Sequence, residues 1–203
     1  MTTMQTLEAR DLFDNLGKEE EQPSNRIIEV RAGSVLEQLV KQFEEYLAKG
    51  TLWDAQQNII QIGRSQSGIR ASDIEQLSII LNGYDDEIMF EFSTGWFLTK
   101  CFNVCKDRDI TVYTRGWKSP PHHLSLQTDK RVTVYGNVGD CLGLCMTRGR
   151  ITVNGNARRF VGQGMEGGTL SINGDYDGIT EVINTKRNIY HKGKPIVLDG
   201  KVV

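Results

Sequence analysis

Apolar and polar residues alternate along three short stretches in the second half of the chain. Val132 and Val134 are separated by a threonine, and the same apolar–polar–apolar order returns twice. Successive side chains of a β-strand point to opposite faces, so this alternation predicts strands with one buried face. The inward positions of these predicted strands are Val132 and Val134, Ile151 and Val153, and Leu170 and Ile172.

The three predicted strands belong to a repeat of 19 residues. The copies span 131–149, 150–168 and 169–187, and the first two copies are identical at 8 of their 19 positions. Glycines recur at fixed offsets after each strand, where a sharply turning chain favours residues without a Cβ atom. A strand and a corner in every repeat predict a short parallel β-helix whose coils stack about 4.8 Å apart.

The second copy contains Gly155-Asn156-Ala157, then Val161-Gly162-Gln163-Gly164-Met165, then Gly167-Gly168. Over residues 131–187 this pattern resembles the GXGXG module, which is found in one of the subunits of formylmethanofuran dehydrogenase and in the C-terminal domain of the glutamate synthase large subunit. The resemblance implies a right-handed β-helix that holds neighbouring catalytic units in place and has no catalytic residue of its own. The structural motif positions would be Gly136, Gly143, Gly149, Gly155, Gly162, Gly164, Gly168 and Gly174.

The first half of the chain has a different pattern. Apolar residues at helical spacing before Gly50 predict a helix over 35–49. Together with further predicted strands and a second helix, it indicates a small α/β domain over 26–117, and so an α+β chain of two parts. The other predicted elements of this domain are strands at 26–31, 88–92 and 110–114 and a helix at 95–106.

Polar segments flank and join the two predicted domains. Residues 1–25 hold a short amphipathic stretch and a charged run, and they predict a flexible lead. Two consecutive prolines mark a linker over 118–130. The β-helix over 131–203 needs a cover at each end of its stack. We expect the α/β domain to cap one end and the C-terminal tail, 189–198, to close the other.

Composition narrows the class of protein. Lys and Arg number 24 against 26 Asp and Glu, and this near-neutral balance favours neither nucleic acid nor an anionic membrane as a partner. There is no long apolar run, and the N-terminus lacks a basic start followed by an apolar block. We therefore expect a cytoplasmic protein, whose cysteines are thiols, metal ligands or redox groups and not structural disulfides.

The cysteines occur as two CX3C pairs, which are the most suggestive chemistry in the sequence. Cys101 and Cys105 would lie one turn apart on a predicted helix, and Cys141 and Cys145 lie in the first copy of the repeat. If the thiolates met, they could hold zinc or an iron–sulfur cluster. The alternative is burial, because cysteine is a common small core residue and Cys101 stands among large apolar residues.

Other residue groups have both a functional and a structural interpretation. His122 and His123 could bind a metal or carry a proton near neutral pH, or be solvated in the linker. Residues 93–95 could bind an anion at a helix start, although capping explains them equally well. The polar segment 63–68 lacks the lysine of a phosphate-binding loop. Residues 85–87 could bind a divalent ion through carboxylate oxygens or form an acidic turn.

A repeat without a visible acid, base or nucleophile favours a non-catalytic scaffold or assembly subunit. The resemblance implies a glutamate synthase-like or formylmethanofuran dehydrogenase-like redox complex, with larger redox or amidotransferase subunits as partners. Trp53, Trp96 and Trp117 could supply contacts, with Trp96 expected to be more buried than Trp117. An open β-helix end also predicts a weak homodimer. The alternatives are a stand-alone metal or iron–sulfur protein that uses the cysteines, or a small-ligand-binding protein with its pocket beyond Phe92.

Overall fold

A computed structural model of the protein describes residues 28–49, 51–180 and 186–203. The predicted flexible lead, 1–25, lies outside these residues and stays a prediction. The described residues form four α-helices, a short 3-10 helix and seven β-strands, with the helices first along the chain. No helix in this part of the chain is long and apolar enough to cross a lipid bilayer.

The first helix, α1, spans Val35–Lys49 and confirms the prediction from helical spacing. Leu36, Leu39 and Phe43 are buried on one side of it, at the spacing of a single helical face. Ser34 caps its start, since the Ser34 hydroxyl accepts a hydrogen bond from the Glu37 amide at 3.1 Å. The other α-helices are α2 (Leu52–Arg64), α3 (Ala71–Leu81) and α4 (Phe90–Val104), with the 3-10 helix Asn82–Tyr84 before α4.

The predicted strand at 110–114 is confirmed as Asp109–Thr114, but the described residues before Asp109 contain no strand, so that part of the predicted α/β domain is helical. Helix α4 (Phe90–Val104) begins inside the predicted strand at 88–92. It therefore starts earlier than the predicted helix at 95–106, and it also ends earlier. Residues 28–31, the described part of another predicted strand, are irregular. The cause is that α4 is buried around most of its circumference, and a short apolar run has no periodicity that separates helix from strand.

The strands form one sheet in chain order and coil into a β-solenoid of about four turns. The first five strands pair in parallel and the last two add antiparallel hairpins. Arg150 pairs with Arg131, and Thr169 with Arg150, which confirms the repeat. The strands are β1 (Asp109–Thr114), β2 (Arg131–Gly136), β3 (Arg150–Asn154), β4 (Gly167–Ile172), β5 (Lys186–His191), β6 (Lys194–Leu198) and β7 (Lys201–Val202).

Two columns of buried apolar side chains run through the solenoid, as the alternation predicts. Parallel pairing in register places one residue of each coil above its equivalent in the coil before it. The first column contains Ile110, Val132, Ile151, Leu170 and Ile189, and the second contains Val112, Val134, Val153 and Ile172.

The repeated glycines lie at the corners of the coils or at the ends of the strands. Gly155 shows the reason, because a Cβ atom there would overlap the Gly136 carbonyl of the preceding coil. Gly174 lies equally close to Gly155 in the next coil, so these three glycines allow successive backbones to stack. A left-handed backbone, with φ between 63° and 128°, occurs at Gly136, Gly143, Gly149, Gly162, Gly164 and Gly168.

The segment predicted as a linker, 118–130, is part of the solenoid. Leu124 and Leu126 are fully buried, and their carbonyl groups accept hydrogen bonds from Gly143 at 2.7 Å and Thr147 at 3.1 Å in the next coil. The segment therefore completes a first coil that starts at β1, which was expected to belong to the N-terminal domain. The double proline does not mark a boundary between two domains, because Leu124 and Leu126 after it belong to the apolar core that the helices and the solenoid share.

The helices cap this first coil. The Tyr113 amide on β1 donates a hydrogen bond to the Ser78 hydroxyl of α3 at 3.0 Å. Helix α4 lies along residues 122–127, and it approaches them closely at Gly95, where a Cβ atom would overlap the His122 carbonyl oxygen. One continuous apolar core joins the helices to the solenoid. The first coil thus has no open end on this side.

The other end of the described stack carries the C-terminal hairpins. Val197 of β6 is buried, and Pro195 lies at a register shift between β5 and β6, where a missing N–H disturbs the ladder least. Arg187 is 1% exposed in this end of the solenoid. Its guanidinium donates to the Gly162 carbonyl at 2.9 Å and to the Thr180 carbonyl at 2.7 Å. Burial lowers the pKa of Arg187 below its ordinary value.

Candidate functional site

Three successive coils hold a residue other than glycine in the left-handed region at the same corner. These residues are His123, Cys141 and Phe160, with φ of 60°, 60° and 62°. The His123 amide donates to the Asp140 carbonyl and the Cys141 amide donates to the Arg159 carbonyl, both at 2.9 Å, so each residue occupies the equivalent corner. We call them the corner column. A side chain in this conformation costs about 1–2 kcal/mol relative to glycine.

Helix α4 extends the corner column with aromatic side chains. The Trp96 ring stacks on the His123 ring with a centroid distance of 5.4 Å and an interplanar angle of 28°. At the other end, Phe160 is 48% exposed, and the Arg159 guanidinium lies 5.8 Å from its ring centroid. We call Trp96, His123, Cys141 and Phe160 the aromatic ledge. It crosses from the helical cap onto the solenoid.

Polar groups border the aromatic ledge. The Asp140 carboxylate accepts hydrogen bonds from the Arg159 amide at 3.1 Å and from its guanidinium at 3.2 Å. The Cys141 thiol donates to the Gln163 side-chain oxygen at 3.2 Å. Burial and the nearby Asp140 charge raise the pKa of the Cys141 thiol, so it is neutral at pH 7. Arg158, Arg159 and Gln163 are exposed.

The tryptophans differ from the expected order of burial. Trp117 is 7% exposed, and its ring packs against the Phe90 ring at 5.3 Å, whereas Trp96 is only half-buried. The prediction was wrong because Trp117 was placed at the edge of the predicted domain, beside a linker, whereas that segment is part of the solenoid and shares its core. Trp53, on α2, is 69% exposed.

The cysteines do not form the predicted metal centre in the described residues. No three His, Cys, Asp or Glu side chains within 28–49, 51–180 and 186–203 are grouped closely enough to hold a metal ion. Cys101 and Cys105 are buried in the core below α4, and burial raises the pKa of both thiols. Cys141 is half-buried and Cys145 is exposed on the solenoid. The alternative of burial therefore describes the first pair.

His122 and His123 are packed against the cap and are not solvated linker residues. His122 is 6% exposed, and its ring lies 4.6 Å from the Phe92 ring on α4. The Phe92 ring also lies 5.4 Å from the His123 ring. Gly139 closes the other side, since a Cβ atom there would overlap the His122 ring. Sequence reasoning missed this packing because the first coil has the composition of a linker.

A repeat signal for the first coil was available. Thr111-Val112-Tyr113 recurs as Thr133-Val134-Tyr135, and in the structure these segments pair in register. Aligning them would have assigned the segment after Tyr113 to an additional coil, although without a gap the alignment places His123 opposite Cys145 and not Cys141. The signal is short, and the first coil is longer than the later ones, which hid the equivalence.

Two polar segments considered as ligand sites have structural partners. Lys106 donates to the Ser65 carbonyl at 3.1 Å and to the Gln66 carbonyl at 2.7 Å, so the loop at 63–68 presents oxygen atoms to a cation and not N–H groups to a phosphate. Lys118 binds the Asp86 carboxylate at 2.7 Å, and its amide donates to Asp85 at 3.0 Å. The acidic turn therefore anchors the segment that follows β1.

The other two ligand hypotheses also change. Residues 93–95 lie inside α4 and are buried, so they do not form a helix start that could bind an anion. Phe92 lies in the same helix, which removes the strand end beyond which a pocket was expected. A cavity of about 560 Å³ lies elsewhere, between the start of α1 and the loop before α3. It is lined by Gly33, Ser34, Val35, Gln38, Ser65, Gln66, Ser67, Gly68, Arg70 and Asp73.

Comparison of the chain with models of protein families, with curated proteins and with solved structures finds no match. The resemblance to the GXGXG modules therefore stays a prediction from the spacing of the glycines. We infer function instead from the coil geometry, the aromatic ledge and the buried histidines described above.

Proposed function

We propose that the protein is a non-catalytic scaffold or assembly subunit whose aromatic ledge binds a larger protein. The observation that carries this proposal is the corner column. Three coils in succession keep His123, Cys141 and Phe160 where glycine would be less strained. A purely structural corner gains nothing from this cost, whereas a binding surface gains a row of side chains that project from a rigid backbone.

The exposed end of the ledge indicates the chemistry of the partner. Phe160 is large and apolar, and Arg158 and Arg159 lie exposed directly before it. A partner surface with a small apolar pocket bordered by carboxylates would complement these three residues. Phe160 would fill the pocket, and the arginines would set its orientation.

The glycine pattern also suggests the kind of complex in which this scaffold would act. We infer a cytoplasmic redox complex of the glutamate synthase-like or formylmethanofuran dehydrogenase-like kind, in which a redox or amidotransferase subunit provides the catalysis. The β-solenoid fold and its glycine-lined corners support this inference. We also propose a weak homodimer through the exposed C-terminal hairpin. Sedimentation at high protein concentration tests that contact.

Affinity purification of the full chain from its host under anaerobic conditions, followed by mass spectrometry, tests the scaffold role. The wild type is compared with Phe160→Ser, which removes the ledge anchor, and with Trp53→Ser, which removes a still more exposed aromatic side chain on α2. We expect a catalytic redox or amidotransferase subunit in stoichiometric amount with the wild type and W53S, and its loss with F160S.

Two results would contradict the scaffold role. Recovery of the wild type alone would show that the chain has no stable catalytic partner under these conditions. Equal recovery of the partner with F160S and W53S would show that the aromatic ledge is not the binding surface.

A further inference from the structure

Helix α4 and the first coil meet along a continuous seam of hydrogen bonds. The His122 amide donates to the Glu91 carbonyl at 2.8 Å near the start of α4. Further along the helix, the Thr99 hydroxyl accepts from the Ser125 amide at 3.0 Å and donates to the His123 carbonyl at 3.2 Å. This seam, formed by α4 and residues 122–127, joins the helical cap to the solenoid on this side.

The two histidines lie in the seam with one ring nitrogen each buried and without a partner. Neither the His122 Nδ1 atom nor the His123 Nδ1 atom has a hydrogen-bond partner among the described residues. A neutral imidazole tolerates this arrangement, because Nδ1 can be the bare acceptor nitrogen. A protonated imidazole must carry a hydrogen on both nitrogens, so protonation would place a charged donor opposite no acceptor.

The charged groups around the pair do not offset this cost. Glu91 on α4 and Asp140 on the second coil favour a charged His122, while Arg158 and Arg159 on the third coil oppose it. Asp140 already accepts two hydrogen bonds from Arg159. The rings of His122 and His123 lie 5.9 Å apart, so a charge on one opposes a charge on the other.

We propose that His122 and His123 form an acid-sensitive latch, which holds α4 against the first coil when both imidazoles are neutral and releases it when they are protonated. Release would separate Trp96 from His123 and so break the aromatic ledge at the junction between cap and solenoid. The latch does not depend on the scaffold role, since it is a property of the isolated chain.

The direction of the pH dependence follows from burial, which lowers the pKa of both histidines in the folded protein. The open seam then binds protons more readily than the closed one. The closed seam has its full stability above the ordinary histidine pKa of 6.5 and loses stability as the pH falls below it. Each proton taken up on opening raises the opening equilibrium constant by up to about tenfold per pH unit.

Hydrogen–deuterium exchange of the isolated full chain tests the latch. The reporters are the amides of Ser125 and Gln127, which donate across the seam to Thr99 and Asn103, and the reference is the Thr152 amide in β3. After correction for intrinsic exchange, we expect the two reporters to lose at least about tenfold protection between about pH 7.5 and about pH 5.5, with little change at Thr152.

Variants assign this effect to the latch. His122→Gln keeps a side chain of similar length beside Gly139, and His123→Phe keeps a ring beside Trp96, so the double variant removes both titrations with little change in packing. We expect less than about twofold pH dependence at the reporters in H122Q/H123F. His191→Gln is the matched control, because His191 lies in β5 and its ring bonds the Gly174 carbonyl at 2.9 Å. H191Q should behave as the wild type.

The wild type alone can overturn the proposal, whether or not the double variant folds. Constant protection of the seam reporters across this pH range, or an equal loss at Thr152, would show that there is no local latch. In a folded double variant, a pH dependence equal to that of the wild type would exclude the histidines as its cause.

Discussion

The helical cap and the solenoid are held together by different kinds of interaction. In the cap, large side chains from separate helices meet, and the Phe43 ring contacts the rings of Tyr84, Phe90 and Phe97 at centroid distances of 5.6, 6.3 and 5.2 Å. In the solenoid, β-branched residues and leucine stack in register, and backbone hydrogen bonds join each coil to the next. The cap therefore depends on side-chain volume, and the solenoid depends on backbone shape at its corners.

The largest expected effect comes from removing the centre of the cap. Phe43→Ala deletes a fully buried ring that touches three other rings, and we expect a loss of about 4 kcal/mol in the free energy of unfolding. Urea denaturation measures it. Val153→Ala in the solenoid removes less volume and should cost about half as much. Equal losses in the two variants would contradict the distinction between the regions.

A smaller effect is expected where the two regions meet. Gly95→Ala adds a Cβ atom against the His122 carbonyl, and because backbone on both sides must move, we expect a loss of about 3 kcal/mol. Gly178→Ala is the control, since a Cβ atom there meets nothing within 4 Å. The same denaturation experiment compares them. Similar stability of G95A and G178A would show that α4 does not approach the coil as described.

The smallest effect concerns the corner column and has the opposite sign. Phe160→Gly relieves the left-handed strain that Phe160→Ala retains, and both variants lose the aromatic ring. We expect F160G to be about 1 kcal/mol more stable than F160A, after the greater flexibility of unfolded glycine is included. Thermal unfolding of the two proteins measures the difference. A less stable F160G would mean that the corner is not strained.

The sequence predicted the parts of the fold that local spacing controls. Val132, Ile151 and Leu170 stand at one position of the repeat, and this alone indicates stacked strands with a common buried face. The same reasoning located α1 from Leu36, Leu39 and Phe43. It failed for α4, because the helix is buried on most of its circumference and its apolar residues show no single face.

The candidate site was harder to predict than the fold. The motif glycines were found, since they repeat along the chain. The role of His122 was missed because it depends on Phe92 and Gly139, which approach it from α4 and from the next coil. The paired spacing of the cysteines suggested one shared metal centre, and this prediction was wrong. The structure buries Cys101 and Cys105, whereas Cys145 is exposed.

The sequence by itself therefore determined the repeat, the inward face of each strand and the glycine corners, because each depends on the spacing of residues within about 20 positions. The tertiary structure alone decided that the described part of the cap before Asp109 is entirely helical, that two histidines are buried in the seam and that Trp96 continues the corner column. These features are contacts between distant segments, and burial depends on what covers a residue and not on its neighbours along the chain.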